Sequence, residues 1–154
     1  MFPVWYCAVM HIRSLLLTAA LIPAGCVTPP SVQVLDQATI TQRTPDASSG
    51  TIPVRITNPN SESIKLLEYL YTVHAAGYRT WTGRHAGGIV LSSGFERVAH
   101  LPIVLPAGVP PGTKIQIGGA LRYLDTSTLS ETLADWGYRP AASFSGSAVV
   151  TAEK

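Results

Sequence analysis

Apolar residues recur at every second position along most of the chain after Ser31, and this period constrains the fold more than any other feature. Such alternation places one side of a strand against a core and the other side toward solvent. Turn residues interrupt it every eight to twelve positions, which is typical of a sandwich or barrel of short strands. The sequence therefore predicts an all-β fold. The clearest sets are Val32, Val34, Ala38 and Ile40; Ile52, Val54 and Ile56; Leu101, Ile103 and Leu105; Ile115, Ile117, Leu121 and Tyr123; and Phe144, Ala148 and Val150. Pro53, which cannot donate to a ladder, is expected at the start of its strand or on an edge.

The third strand changes phase in its first half. Ile64 and Leu66 are followed, one position out of step, by Leu67, Tyr69, Tyr71, Val73 and Ala75. A shift of one residue is what a β-bulge produces, so a bulge is predicted near Leu66 and Leu67. Ala76-Gly77 and Gly87-Gly88 are predicted to be turns.

One stretch near the C-terminus departs from the strand pattern. Thr128 and Glu131 have the spacing of a capping box, and Gly137 is placed to end a helix. A short helix over residues 129–136 is therefore predicted, with Leu133 and Trp136 directed inward.

The segment Asn58-Pro59-Asn60 directly follows an alternating strand. An asparagine side chain can accept a backbone N–H two residues on, a proline presets φ for a turn, and a second asparagine tolerates left-handed backbone. These residue types suffice for a corner between strands, and neither asparagine can act as an acid or a base. The segment is predicted to be a structural turn, with a polar ligand contact as the alternative.

Length and composition bound the remaining possibilities. The chain has 154 residues, of which 46% are apolar and 13% charged, so one domain with an ordinary core is expected. A formal charge of +2 provides no basic surface for nucleic acid. A monomer is expected, and no cofactor is indicated.

The N-terminus has the pattern of a secretory signal. Arg13 precedes an apolar run over residues 15–22, which is too short for a membrane-spanning helix, and residues 1–25 are predicted to be removed. Met10 is a candidate for the true start. The sequence Ala24-Gly25-Cys26 resembles the lipobox of bacterial lipoproteins, although Pro23 stands where that family usually has leucine. The resemblance implies that Cys26 carries acyl chains, that residues 26–31 form an anchor and spacer ahead of a domain over 32–152, and that the protein faces the periplasm from an outer membrane. An ordinary signal followed by an incidental cysteine, or an uncleaved membrane segment, remains open.

The order of elements resembles the type 2 late embryogenesis abundant family, also called the WHy (water stress and hypersensitive response) domain. That family has an apolar strand ending in Asn-Pro-Asn and then a strand with a tyrosine and a terminal glycine, which correspond here to Asn58, Pro59, Asn60, Tyr69 and Gly77. The resemblance implies a seven-stranded antiparallel sandwich of the immunoglobulin or fibronectin III type. It also implies a non-enzymatic role in tolerance of drying and other stress.

No catalytic residue and no metal-ligand set emerges from the sequence. His74, His85 and His100 lack a carboxylate or second histidine at ligand spacing, and there is no nucleophile elbow. The leading hypothesis is a non-enzymatic, stress-protective domain that is bound to the membrane by its lipid anchor and shields a client protein or lipid. One alternative is a module for an apolar ligand, held in space left by small residues such as Gly118, Gly119 and Gly146. The other is an adaptor lipoprotein that binds an envelope protein through a strand edge.

Overall fold

The computed structural model describes residues 28–152, which form eight strands and one short helix. The all-β prediction with a helix near the C-terminal end is confirmed. The elements in chain order are β1 (Ser31–Val34), β2 (Gln37–Arg43), β3 (Ala47–Thr57), β4 (Ile64–Ala75), β5 (Trp81–Leu91), β6 (Glu96–Pro106), β7 (Lys114–Asp125), α1 (Thr128–Asp135) and β8 (Ala141–Ala152).

The strands are hydrogen-bonded along one continuous path. From one end the order is β5, β4, β7, β8, β2, β3, with β1 also on β3. β6 pairs with β3 over the full range Ala47–Thr57, so β1 and β2 share the opposite edge of β3. All pairings are antiparallel except that of β2 with β8, which is parallel.

The expectation of seven antiparallel strands in an immunoglobulin-like order is therefore wrong. The first predicted strand is broken at Leu35 and Asp36, and beyond this break the chain pairs with β8 as well as with β3. Leu35 N–H still donates to the Pro53 carbonyl at 3.0 Å, whereas the Asp36 carbonyl accepts from Val149 N–H at 2.7 Å. Because β2 then bonds both β3 and β8, it joins strands that an immunoglobulin-like sandwich keeps in two separate sheets.

Pro53 is not at a strand start or on an edge, contrary to the sequence-based expectation. It lies inside β3, between β1 and β6. Its carbonyl points to the break between β1 and β2, since it accepts from Leu35. The N and C=O of one strand residue face the same side, so the missing N–H faces Leu35, where β1 ends.

The sheet folds over on itself and encloses one core. The buried sets of β3, β6, β7 and β8 are those given by the alternation, and they form one hydrophobic cluster with β4. The Tyr71 hydroxyl of β4 donates to the Pro102 carbonyl of β6 at 2.6 Å, which ties the two layers together. Burying each Val, Leu or Ile side chain contributes about 1.5–3 kcal/mol.

The bulge predicted near Leu66 and Leu67 is present. Leu66 pairs with Tyr123 and Glu68 with Arg122, so Leu67 is an extra residue relative to β7. The turn predicted at Gly87-Gly88 is wrong, because β5 runs through both glycines, which lie opposite the same bulge. A Cβ on Gly87 would lie 2.5 Å from the Leu66 carbonyl oxygen, so glycine lets the strands approach there.

The helix begins one residue earlier than predicted. Ser127, rather than Thr128, is the N-cap, and its hydroxyl accepts from Ser130 N–H at 3.2 Å. Gly137 ends the helix with a φ of 93°, as predicted. Trp136 is not inward as expected but 83% exposed, and Ala134 and Ser130 are the buried helical residues.

Candidate functional site

Asn58 is the most buried polar residue of residues 28–152, with no exposed surface. Its Nδ2 group donates to the carbonyl oxygens of Glu62 at 2.8 Å, Leu91 at 3.1 Å and Ser92 at 3.1 Å. Its Oδ1 accepts from Asn60 N–H at 3.1 Å, the bond that the sequence predicts for this corner. One amide therefore joins the end of β3, the turn before β4 and the loop after β5.

The backbone of Asn58 reinforces the same junction. Its N–H donates to the Phe95 carbonyl at 3.0 Å, and its carbonyl accepts from Gly94 N–H at 3.1 Å. Gly94 has a φ of 68°, a conformation that glycine adopts without strain. The loop between β5 and β6 is thereby fastened to Asn58 through both main-chain and side-chain bonds.

Asn60 holds the segment that precedes the first strand. Thr28 N–H donates to Asn60 Oδ1 at 2.8 Å, and Asn60 Nδ2 donates to the Thr28 carbonyl at 2.9 Å. Asn60 Nδ2 also donates to Asn58 Oδ1 at 2.9 Å. Pro30, two residues after Thr28, is buried. The chain is thus docked on the domain from Thr28 onward, two positions after Cys26, which itself lies outside the described residues.

The other residues of the family pattern are not brought to this corner. Tyr69 lies within β4 and is 1% exposed, and burial raises the pKa of its hydroxyl to about 12, with Arg97 acting in the opposite direction. Gly77 lies at the far end of β4, in a turn closed by Tyr78 N–H donating to the Ala75 carbonyl at 3.0 Å. Its φ of 82° is what the third position of a type II turn requires. Tyr69 and Gly77 therefore lie away from the Asn58-Pro59-Asn60 corner, Tyr69 in the core and Gly77 in the turn after β4.

A charged cluster beside the bulge was not picked out by the sequence pattern. Glu68 bonds Arg84 Nε at 2.5 Å and an Arg122 guanidinium nitrogen at 2.6 Å, so one carboxylate spans β5, β4 and β7. Burial opposes its ionisation, but the hydrogen bonds and charges of Arg122 and Arg84 prevail and hold the pKa of Glu68 below its usual value. The three residues are far apart in sequence, so only the strand register reveals the cluster.

The small residues proposed to leave internal space are in close contact. A Cβ on Gly119 would collide with the Leu70 carbonyl, and one on Gly146 would lie 2.6 Å from Val34 Cβ. Gly118 and Gly146 also line an open hollow of about 540 Å³ on the outer face of β4, β7 and β8. Its lining is largely polar and includes His74, Lys114 and Gln116.

No cluster of three or more metal-binding side chains occurs within residues 28–152. The single helix of this part of the chain has eight residues and is too short to cross a membrane.

No protein-family model matches the chain, and no curated protein matches it. Solved structures do match. A Northeast Structural Genomics Consortium target, SoR45, is similar with a TM-score of 0.51 and 14% identity, over 79% of this chain and 81% of that one. The solution structure of AT1g01470 from Arabidopsis thaliana is similar with a TM-score of 0.50 and 19% identity, over 80% of this chain and 84% of that one. At these identities the likeness concerns the fold alone.

Proposed function

We propose that the chain is a non-enzymatic domain held on a bacterial envelope membrane through acyl chains on Cys26, with a protective role in drying or related stress. The outer membrane, seen from the periplasm, is the proposed location. The protective role follows from the resemblance to the type 2 late embryogenesis abundant and WHy proteins.

The observation that carries the proposal is the docking of the segment after Cys26. Asn60 bonds both the N–H and the carbonyl of Thr28. Only Val27 separates Thr28 from the cysteine. A lipid anchor at Cys26 would hold the domain at a defined point, since the spacer is bonded to the corner instead of hanging free.

The use of the corner's polar groups supports a structural role for it. The amide hydrogens of Asn58 are donated to backbone carbonyls, and its side-chain oxygen accepts from Asn60. A side chain so engaged has little capacity left to bind a substrate. The corner is thus a clamp between the anchor segment and the sheet.

Metabolic labelling tests the anchor. Cells that express the full chain are fed a clickable fatty acid, and the label on wild type is compared with Cys26→Ala and with the control Cys7→Ala. We expect the Cys26→Ala protein to lose the label and the Cys7→Ala protein to keep it. Label that persists in Cys26→Ala refutes the anchor.

Survival measurements test the protective role. A deletion strain is complemented with wild type or Cys26→Ala and exposed to drying, osmotic shock and freezing. We expect wild type to restore survival and Cys26→Ala to do so incompletely. A deletion strain that survives all three stresses as well as its parent contradicts the protective role.

The free edge of β5 favours an adaptor as the second candidate. β5 has eleven residues and ends the strand order, with β4 as its partner in the described part of the chain. Exposed edges of this length accept an added strand from another protein. Photo-cross-linkers are placed along β5, with Val149 on the outer face of β8 as the control position. We expect a protein adduct from β5 alone. Equal yields at β5 and Val149 would exclude the β5 edge as the binding surface.

A further inference from the structure

Exposed apolar side chains are concentrated at one end of the molecule. At this end β3, β5 and β7 finish and β4 and β6 begin, as the pairs Thr57 with Glu96, Ile64 with Leu91 and Ile64 with Asp125 show. Within residues 28–152, four of the eight large hydrophobic residues on the surface lie there, namely Phe95, Leu129, Trp136 and Tyr138, and they are also the four most exposed apart from one valine. The other four are valines within β5, β6 and β8.

The same end receives the segment that leads to Cys26. Thr28 is bonded to Asn60 in the turn that follows β3, and β1 begins beside the end of β3, with Ser31 opposite Thr57. We call this end, formed by residues 58–63, 92–95 and 126–140 with Thr28, the tether end.

Covalent geometry limits how far the tether end can lie from the anchor. The two residues from Cys26 to Thr28 span at most about 7 Å when fully extended. An acyl chain on Cys26 therefore keeps Thr28, and the Asn60 side chain bonded to it, close to the membrane surface.

The exposed side chains have the chemistry of the interface between lipid and water. Trp136 is 83% exposed, Leu129 69%, Phe95 66% and Tyr138 55%. Tryptophan and tyrosine concentrate at the level of lipid headgroups, where the ring is in contact with hydrocarbon and its polar atom with water. Phenylalanine and leucine form, with tryptophan, the apolar faces of segments that lie in this interface. The helix carries the acidic residues Glu131 and Asp135 and no basic residue, so it presents no positive charge that would favour anionic lipid.

We propose that the tether end rests on the bilayer that holds the Cys26 acyl chains, with Phe95, Leu129 and Trp136 in its interfacial layer. This inference rests on the proposed lipid anchor and adds an orientation: the strands rise from the membrane, and the Gly77 turn is the distal end. The eleven residues of β5 set Trp81, at its start, about 33 Å from the tether end.

Trp136 and Trp81 provide a matched pair of probes. Two variants are expressed from the full chain, both with Trp5→Phe, and their membrane-bound products are purified. One adds Trp81→Phe and keeps Trp136, and the other adds Trp136→Phe and keeps Trp81. Each is reconstituted into phosphatidylcholine vesicles with plain or brominated acyl chains, and vesicle flotation is measured alongside fluorescence.

We expect brominated lipid to reduce the emission of Trp136 by about half and to leave that of Trp81 almost unchanged. Co-flotation with Trp136 emission equal in the two lipids overturns the orientation while leaving the anchor intact. Failure to float overturns both proposals. Acrylamide quenching is also measured on full-length Cys26→Ala protein without vesicles. If Trp136 is shielded from acrylamide there, residues 15–22 cover the tether end in place of a bilayer, and the orientation is overturned.

Discussion

Replacing Asn58 with alanine is expected to remove a large part of the stability of the domain. Three carbonyl oxygens accept hydrogen bonds from the Asn58 amide group, but only the bond to Leu91 is fully buried. Water can reach the other two acceptors after the change. Leaving the Leu91 carbonyl without a partner costs about 1–3 kcal/mol, and each further bond lost costs about 1 kcal/mol. The expected loss is about 3–5 kcal/mol, against a total of about 5–15 kcal/mol for a domain of this kind.

Urea unfolding of residues 26–154 carrying Cys26→Ser measures this loss. We expect the Asn58→Ala midpoint to fall by about 2 M with an unchanged slope. Asn60→Ala is the control, because it removes two exposed bonds to Thr28 and one partly buried bond to Asn58 Oδ1 but leaves no buried carbonyl without a partner, and it is expected to lose about 1–2 kcal/mol.

Asn58→Asp separates the amide hydrogens from the shape of the side chain. A carboxylate facing three carbonyl oxygens cannot donate, so its pKa in the folded state is expected to rise above its unfolded value. The destabilisation is then full at neutral pH and is relieved as the pH falls and the carboxyl gains a proton. If Asn58→Ala loses no more than Asn60→Ala, or Asn58→Asp unfolds like wild type, the amide is not the clamp described here.

Three further predictions concern β4 and β7. Tyr71→Phe loses the hydroxyl bond to a β6 carbonyl and should lower the free energy of unfolding by about 1 kcal/mol. Tyr69→Phe removes a buried hydroxyl that has no partner in residues 28–152, so it should be neutral or stabilising. Equal losses for the two variants in thermal unfolding would contradict this. Gly119→Ala should destabilise by about 2 kcal/mol or more because the added Cβ meets backbone, while Gly118→Ala, with no atom closer than 3.8 Å, should unfold near the wild-type temperature. The pKa of Glu68 is lowered in the folded state, so its contribution to stability is complete above the ordinary value of 4.5 and is lost as the pH falls through the folded value. The stability difference between wild type and Glu68→Gln should therefore shrink in acid. A difference that does not change with pH would refute the assignment.

The alternation in the sequence located the buried face of each strand but not the partners of each strand. The phase shift at Leu67 was visible because a bulge moves every later side chain to the other face. The break at Leu35 and Asp36 was invisible, since Val34 and Ala38 remain in phase across it. The parallel pairing of β2 with β8 leaves no local trace either, because a period of two is the same for both directions of pairing.

The candidate site was predictable in its local geometry only. The bond from Asn60 N–H to Asn58 Oδ1 spans two residues and follows from the residue types. The bonds to Leu91 and Thr28 span more than thirty residues, so they depend on how the sheet folds over. Trp136 was expected inside because large apolar residues usually are, and its exposure is the departure on which the proposed orientation depends.

The parallel pairing of the second and last strands affects when the domain can finish folding. Gln37–Ile40 bond to Val149–Ala152, so an interior edge of the sheet stays open until almost the whole polypeptide is available. Contacts of such long range form slowly, because the intervening loop must close first. For the exported protein that we propose, this order of events would delay completion of the sheet until β8 had crossed the membrane.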